Sequence, residues 1–428
     1  MKNATIVALV LLLTGYANTD VVHIAAGKPV LTITGPYGGG DGTAENPYQI
    51  YTAEQMNEIG ANPNDWNKYF TLMADIDLSE YNAETFNVIG YYRDSSDNKP
   101  FGGVFNGNNN TIFNFSYTST DKDYAGIFGY VHGVYAQIKN LNLANTNINT
   151  GGHTIGSLVG LLRKGNISYC RTKNCNISGA MNVGGLVGRT AQDTMGISNC
   201  SSSGFVSGDD YIGGLIGQIG PGTVSMCYSK ANVSGNRNVG GLVGKTGDET
   251  SVVRDCYATG NVEGYEYVGG LAGQVERGAV YKCYSVGGVS GNHSTGGLTG
   301  YVRVMGTVLH CVWDTQSSGQ TTSAGGTGKT TEQMKMISTF TSMGWNFGIT
   351  WEICDGMNYP VLLWQIPDGD FLCPDGVNFI DFAFFAQHWL RNNCNDIDYC
   401  RGTDLDKSGS VGVSDLAVFA ENWLEGTQ

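Results

Sequence analysis

The chain has 428 residues, 63 of them glycine; only 14% are charged, and 24 basic residues stand against 38 acidic ones for a net charge of −14. The acidic balance argues against nucleic acid or an anionic membrane as partner, since phosphate binding depends on clustered lysine and arginine. A glycine-rich, charge-poor chain of this length suits a turn-rich all-β body with an appendage rather than a helical enzyme.

The first seventeen residues, MKNATIVALVLLLTGYA, place one lysine ahead of an apolar run from Ala4 to Leu13 and close on small residues at Gly15 and Ala17. This is the pattern of a secretory signal peptide, so the expected location is secreted or at the cell surface. The run is shorter than the about 20 residues a spanning helix needs, and no transmembrane segment is expected elsewhere. Next come GGGDGTAENPYQI (38–50), TAEQMNEIG (52–60) and YFTLMADIDL (69–78), which read as loop, short helix and strand. Thr52 and Gln55 form a capping box for the helix.

From residue 125 the chain repeats. AGIFG (125–129), IGSLVG (155–160), VGGLVG (183–188), IGGLIG (212–217), VGGLVG (239–244), VGGLAG (268–273) and TGGLTG (295–300) share one signature, and from Gly184 the spacings are 29, 27, 29 and 27 residues. Midway through each unit an apolar residue shortly precedes a cysteine, at Cys170, Cys200, Cys227, Cys256, Cys283 and Cys311. A third signature follows in FVSG (205–208), NVSG (232–235), NVEG (261–264) and GVSG (288–291). Three short β-segments per unit of about 28 residues, separated by turns, predict a parallel β-helix, or β-solenoid, of three-strand coils. One coil cannot bury its own apolar residues, so coils stack and inward residues form columns such as Leu186, Leu215, Leu242, Leu271 and Leu298. The six cysteines form a second column. We read them as buried thiols rather than a disulfide ladder, because parallel in-register side chains point the same way instead of converging.

The GGLVG and GGLIG signatures with their following cysteine segment resemble the GLUG repeat of bacterial surface and secreted proteins, over roughly 125–315. Some immunoglobulin A peptidases carry this repeat outside their catalytic chemistry, so the resemblance implies scaffold or adhesive duty. FGGVFNGNNNTIFNFSY (101–117) is similar to the coils that precede such arrays. The expected organisation is signal peptide 1–17, N-terminal cap and first coils 18–124, repeats 125–320, and a C-terminal cap 321–366. That last cap contains TTEQMKMISTF (330–340), a short helix with a Thr330–Gln333 capping box, and WEICDGMNYPVLLWQ (351–365). Caps are needed because an open solenoid end invites edge-to-edge association.

A new pattern occupies 367–428, where NFIDFAFFAQHWL (378–390) and GVSDLAVFAENWL (412–424) repeat at an offset of 34 residues. Phe385 with Phe419, Trp389 with Trp423 and Leu390 with Leu424 keep helical spacing and predict two packed helices. Before the second stands DLDKSGSVGVSD, Asp404 to Asp415, which fits the twelve-residue calcium loop. Its oxygens are the Asp404, Asp406 and Ser408 side chains, the Ser410 carbonyl and the Asp415 carboxylate, with Gly409 at the sharp turn. Two such units in tandem, with aspartate at position twelve, resemble a type I dockerin, a small α-helical module that binds Ca2+ and docks to cohesin on a scaffold protein. The first loop departs from the pattern. Counting back from Asp381 puts Asp370 first, Leu372 third, Pro374 fifth and Asp375 where glycine belongs, leaving Asn378 and Asp381 usable. A one-residue deletion would instead place Asp375 and Gly376 fifth and sixth. The family's recognition positions ten and eleven are here Phe379 and Ile380, then Val413 and Ser414, which lack the usual polar pair. Cys354, Cys373, Cys394 and Cys400 lie in or beside this module, where a small exported domain favours at least one disulfide of unassigned pairing.

Other chemistry is poorly supported. GGTGKTT (325–331) imitates a phosphate loop but has Ser323 where the first glycine is required. The six histidines show no zinc-ligand spacing. Carboxylates that glycan cleavage would need (Asp209, Asp210, Asp255, Glu263, Glu266, Glu276, beside Arg277) fall in different phases of the repeat. Tyr211, Tyr265 and Tyr267 flank acidic turns and are candidates for glycan contact. The reading is therefore a non-catalytic secreted or surface solenoid for adhesion or assembly, docked through a calcium module. The alternatives are a glycan-binding accessory and a polysaccharide-degrading enzyme on a β-helix.

Overall fold

The structure, a computed structural model, describes residues 35–192, 196–394 and 399–424; the signal peptide expected at 1–17 lies outside the described residues. Contacts divide the chain into two compact units at Asn346/Phe347. The segment 347–366, expected to close the solenoid, thus groups with the C-terminal module.

The body is a parallel β-solenoid of about seven turns. Each residue pairs with its counterpart one repeat later: Val183 with Ile212, Ile212 with Val239, Val239 with Val268. The three segments read from the sequence are present, and two of them bend in the middle. The first bends at its glycine–leucine step, between the strand ending at Gly213 and the strand Ile216–Ile219. The second bends one residue before the cysteine, where Asn199, Met226, Asp255, Lys282 and His310 all take left-handed backbone with φ from 51° to 55°. Each turn consequently shows five short ladders.

The leucine column is continuous. Leu186, Leu215, Leu242, Leu271 and Leu298 are fully buried, and the Leu215 and Leu242 N–H groups each donate to the leucine carbonyl of the next turn at 2.9 Å. The neighbouring glycines are steric requirements. A Cβ at Gly214 would collide with the Gly241 carbonyl, and one at Gly217 with the backbone of Asn182 and Val183. Backbone cannot step aside as a flexible side chain can, so the Gly217 position is glycine in every unit from 155 to 300, while the Gly214 position admits one small exception, Ser157.

The alternation of 29 and 27 residues is confined to one corner. Ile197, Val224, Val253 and Val280 are stacked partners, and so are Ile219, Thr246 and Val275. The connection is long from Thr190 to Ile197 and from Thr246 to Val253, and short from Ile219 to Val224 and from Val275 to Val280. Register elsewhere is thereby preserved, which keeps every inward residue on its column.

Cys170, Cys200, Cys227, Cys256, Cys283 and Cys311 are buried free thiols, as is Cys175 in another phase. The Cys227 Sγ donates to the Ser225 carbonyl at 3.2 Å and accepts from the Cys200 N–H at 3.4 Å. Burial pushes the Cys175 thiol up to about 12 and raises Cys170, Cys227 and Cys283 as well. Thiols so held are inert fillers.

At the N-terminal end the strands Tyr48–Ile50, Tyr69–Leu72 and Val104–Asn106 stack in succession and then pair with residues 137–139. Helix α1 (Ala53–Ala61) is capped by the Thr52 hydroxyl, which accepts from the Gln55 N–H; the Gln55 side chain accepts instead from Tyr51. At the other end Thr327–Lys329, part of the phosphate-loop look-alike, is a strand paired with Val312–Asp314. Short helices α2 (Thr331–Met334) and α3 (Ile337–Thr341) follow, with the Thr330–Gln333 box closed in both directions. Phe340 and Trp345 seat against Tyr284, and the Trp345 indole donates to the His310 carbonyl at 3.0 Å.

In the second unit an antiparallel pair, Trp351–Glu352 with Val361–Leu362, precedes helices α4 (Phe379–Gln387) and α5 (Val413–Glu421). Disulfides join Cys354 to Cys373 and Cys394 to Cys400. Phe385 and Phe419 stack at 5.4 Å in the centre. The helices stop short of the expected stripe: Leu390 and Leu424 adopt left-handed backbone at φ 63°. Each N–H instead reaches the opposite loop, Leu390 to the Val411 carbonyl and Leu424 to the Val377 carbonyl, both at 3.0 Å. No helix among the described residues is long and apolar enough to cross a membrane.

Candidate metal centre

The two loops before α4 and α5 each gather three carboxylates. Oxygens of Asp404, Asp406 and Asp415 lie within 4.8 Å of one another, and so do those of Asp370, Asp375 and Asp381. The local causes are the same in both. The twelfth residue sits at the third position of its helix and accepts the N–H of the cap: Gly412 to Asp415 at 2.7 Å, Asn378 to Asp381 at 3.1 Å. Its other oxygen accepts an N–H from the start of the loop, Asp406 to Asp415 at 3.0 Å and Phe371 to Asp381 at 2.8 Å. Loop and helix are thus clamped by one side chain.

In the second loop Asp404 also accepts from Ser408 and Gly409, both at 3.0 Å, with Gly409 left-handed at φ 92°. The Ser408 hydroxyl meets the Ser410 carbonyl at 3.2 Å. The three carboxylates of the expected donor set therefore gather at one spot.

The first loop keeps its span but moves its glycine. Gly376, seventh from Asp370, takes the left-handed turn at φ 97°, and its N–H donates to Asp370 at 3.0 Å as that of Gly409 does to Asp404. Asp375 then stands just before the turning glycine, as Ser408 does in the other loop. Leu372, 50% exposed, contributes no oxygen side chain. Asn378 is occupied as the cap of α4, its oxygen accepting from Ile380 at 2.7 Å.

The first loop also has an uncompensated group. The Asp370 Oδ1 is buried without a hydrogen-bond partner. Burial, with Asp381 and Asp375 nearby, pushes its carboxyl up to about 7. Three carboxylates, one of them carrying an orphaned buried oxygen, form a donor set that a hard divalent cation fits, since calcium takes six to eight oxygens and tolerates irregular geometry.

The tyrosines singled out for glycan contact are each engaged within the solenoid. Lys245 lies over the Tyr211 ring at 5.0 Å, Tyr265 meets His293 at 5.1 Å and Tyr267 meets Tyr301 at 5.1 Å. Tyr211 and Tyr267 occupy left-handed corners two turns apart, separated by Asn238. Several of the carboxylates weighed for cleavage are ion-paired: Asp210 with Arg237, Asp255 with Arg254, Glu276 with Lys245 and Arg303. A concavity over the first coils, lined in part by Tyr69, Tyr135, Gln137 and Lys139, has no mark in the repeat signatures.

Residues 235–263 match the family profile of the GLUG motif, and this stretch is one complete turn of the solenoid. The chain is 30% identical over 211 residues to halomucin of Haloquadratum walsbyi, covering 42% of this chain and 2% of that protein. It is 30% identical over 193 residues to a provisionally named Gly-rich membrane protein of Evansella cellulosilytica, covering 37% of this chain and 21% of that one. The chain thus spans a small part of these relatives' lengths. A crystal structure from Bacteroides ovatus, provisionally named an immunoglobulin A1 protease, superposes with a TM-score of 0.52 at 22% identity, over 77% of this chain and 96% of that one. At that identity the likeness speaks to the fold.

Proposed function

We propose that the protein is a secreted, non-catalytic β-solenoid for surface adhesion or assembly, held in place through its calcium-loaded C-terminal module. The observation that carries the calcium reading is the pair of three-carboxylate clusters, one containing the unpartnered Asp370 oxygen. The repeat body supports a scaffold role, because a stack of near-identical turns offers long lateral faces rather than one enclosed pocket. The name of one relative, a membrane protein, is in keeping with a place at the cell surface. The module presents Phe379, Ile380 and Val413, which are 71%, 64% and 69% exposed. Its docking partner, a cohesin-like or other scaffold protein, would therefore offer an apolar complement to these helix starts.

Calorimetry of the full chain with calcium tests the reading. Wild type is expected to bind two ions, Asp404→Ala and Asp415→Ala one each. Heat-free titration of the wild type would remove calcium from the proposal and leave the solenoid surface as the sole basis for function.

A further inference from the structure

The corner at which turn length varies takes a long form between Val131 and Ile138. There Val134 and Tyr135 project from the solenoid, 54% and 83% exposed. Beside them lies a groove of about 530 Å³ on the outer surface of the first coils. Its floor follows from strand alternation. Phe70, Phe105 and Ile138 are stacked partners and buried, so the residues on either side of each face outward. Tyr69, Val104, Gln137 and Asn166 make one row; Thr71, Asn106 and Lys139 make the next.

Two features mark this groove. Several outward polar side chains elsewhere are paired between turns: Asn176 donates to Asn147 at 2.9 Å, Asn142 to the Asn109 carbonyl at 2.8 Å and Arg163 to Gln192 at 2.7 Å. In the groove the Tyr69 and Thr71 hydroxyls, the Gln137 and Asn166 amides and the Lys139 ammonium have no side-chain partner among the described residues. The second feature is charge. The lining includes Lys139 and no carboxylate, in a chain whose net charge is −14.

We propose that this groove binds an acidic oligosaccharide, one built from or containing uronic acid units. Free hydroxyls and amides in rows about 4.8 Å apart meet successive sugar hydroxyls, which both donate and accept. The exposed face of Tyr135 offers an apolar platform for the C–H face of a pyranose ring. Lys139 pairs with the uronate carboxylate by a charge-assisted hydrogen bond. The site is separate from the carboxylate loops and does not depend on the calcium reading.

Titration of the full chain with trigalacturonate, against maltotriose as the neutral probe, tests this by calorimetry at fixed calcium. The acidic trisaccharide is expected to bind at least about tenfold more tightly, and Tyr135→Ala and Lys139→Gln each to weaken it about tenfold. Both side chains are outside the core, so unchanged melting in both variants identifies the loss as one of binding. Absence of heat with trigalacturonate, equal affinity for the two sugars, or affinity indifferent to both substitutions would overturn the proposal. Uronate held through calcium in the C-terminal loops appears as that last outcome, and Asp404→Ala then abolishes it.

Discussion

Gly217→Val is expected to destabilise the solenoid by more than about 4 kcal/mol, at the extreme of single substitutions. The new side chain meets the backbone of Asn182 and Val183 on one side and the Gly188 carbonyl on another. Relief requires separating two turns, which breaks the ladder Val183–Ile212 and opens the leucine column at Leu186 and Leu215. Because each turn contacts mainly its neighbours, the damage falls at a joint and divides the stack into two shorter arrays. Urea unfolding followed by far-ultraviolet circular dichroism should show an early first transition. Val304→Ala, at a fully exposed side chain in the last turn, should stay within about 0.5 kcal/mol of wild type. A wild-type midpoint for Gly217→Val would refute the steric account of the glycine columns.

Chelating calcium is expected to lower the melting of the C-terminal module alone. A ligand present at a thousandfold over its dissociation constant contributes about 4 kcal/mol, which is of the order of a small domain's whole stability. The calcium-free module should also reverse its pH response. Asp370 in the folded state holds its proton up to about 7, above its ordinary value of 3.8. The folded state thus binds the proton more tightly than the unfolded chain, and stability is greatest below the ordinary carboxylate range and falls as pH rises toward and past 7. Calcium requires the deprotonated carboxyl, so with the ion present stability should instead rise across that interval. Differential scanning calorimetry at several pH values, with and without chelator, reads both trends. Parallel trends would mean that Asp370 does not face the ion.

The repeat architecture was legible because its signals are periodic. Glycine, leucine and cysteine recur at one phase, and periodicity in a solenoid is itself the three-dimensional register. The carboxylate cluster of the second loop was legible for a different reason: the spacing of Asp404, Asp406 and Asp415 is what brings their oxygens together. What escaped was set by single backbone choices. Nothing in the order Asp375–Gly376 says which of two registers the first loop takes; the Gly376 N–H to Asp370 bond decides it. The ends of α4 and α5 were overread because Leu390 and Leu424 continue the apolar stripe while turning left-handed to bond the opposite loop. The groove over the first coils was invisible because Tyr69, Gln137 and Lys139 come together only through stacking, from segments outside the glycine signature.

The thiol column has a mechanical consequence. None of the solenoid's cysteines is cross-linked, and both disulfides lie between residues 354 and 400. Inter-turn hydrogen bonds run along the axis, so tension applied at the two ends peels the outermost turn first and leaves the rest intact. A freed turn of 27 or 29 residues releases roughly 90–100 Å of chain. Single-molecule stretching should show a ladder of nearly equal extensions, with the step length alternating slightly as the repeat does. A cell held by such a stalk would meet shear with gradual yielding and recoil instead of abrupt detachment.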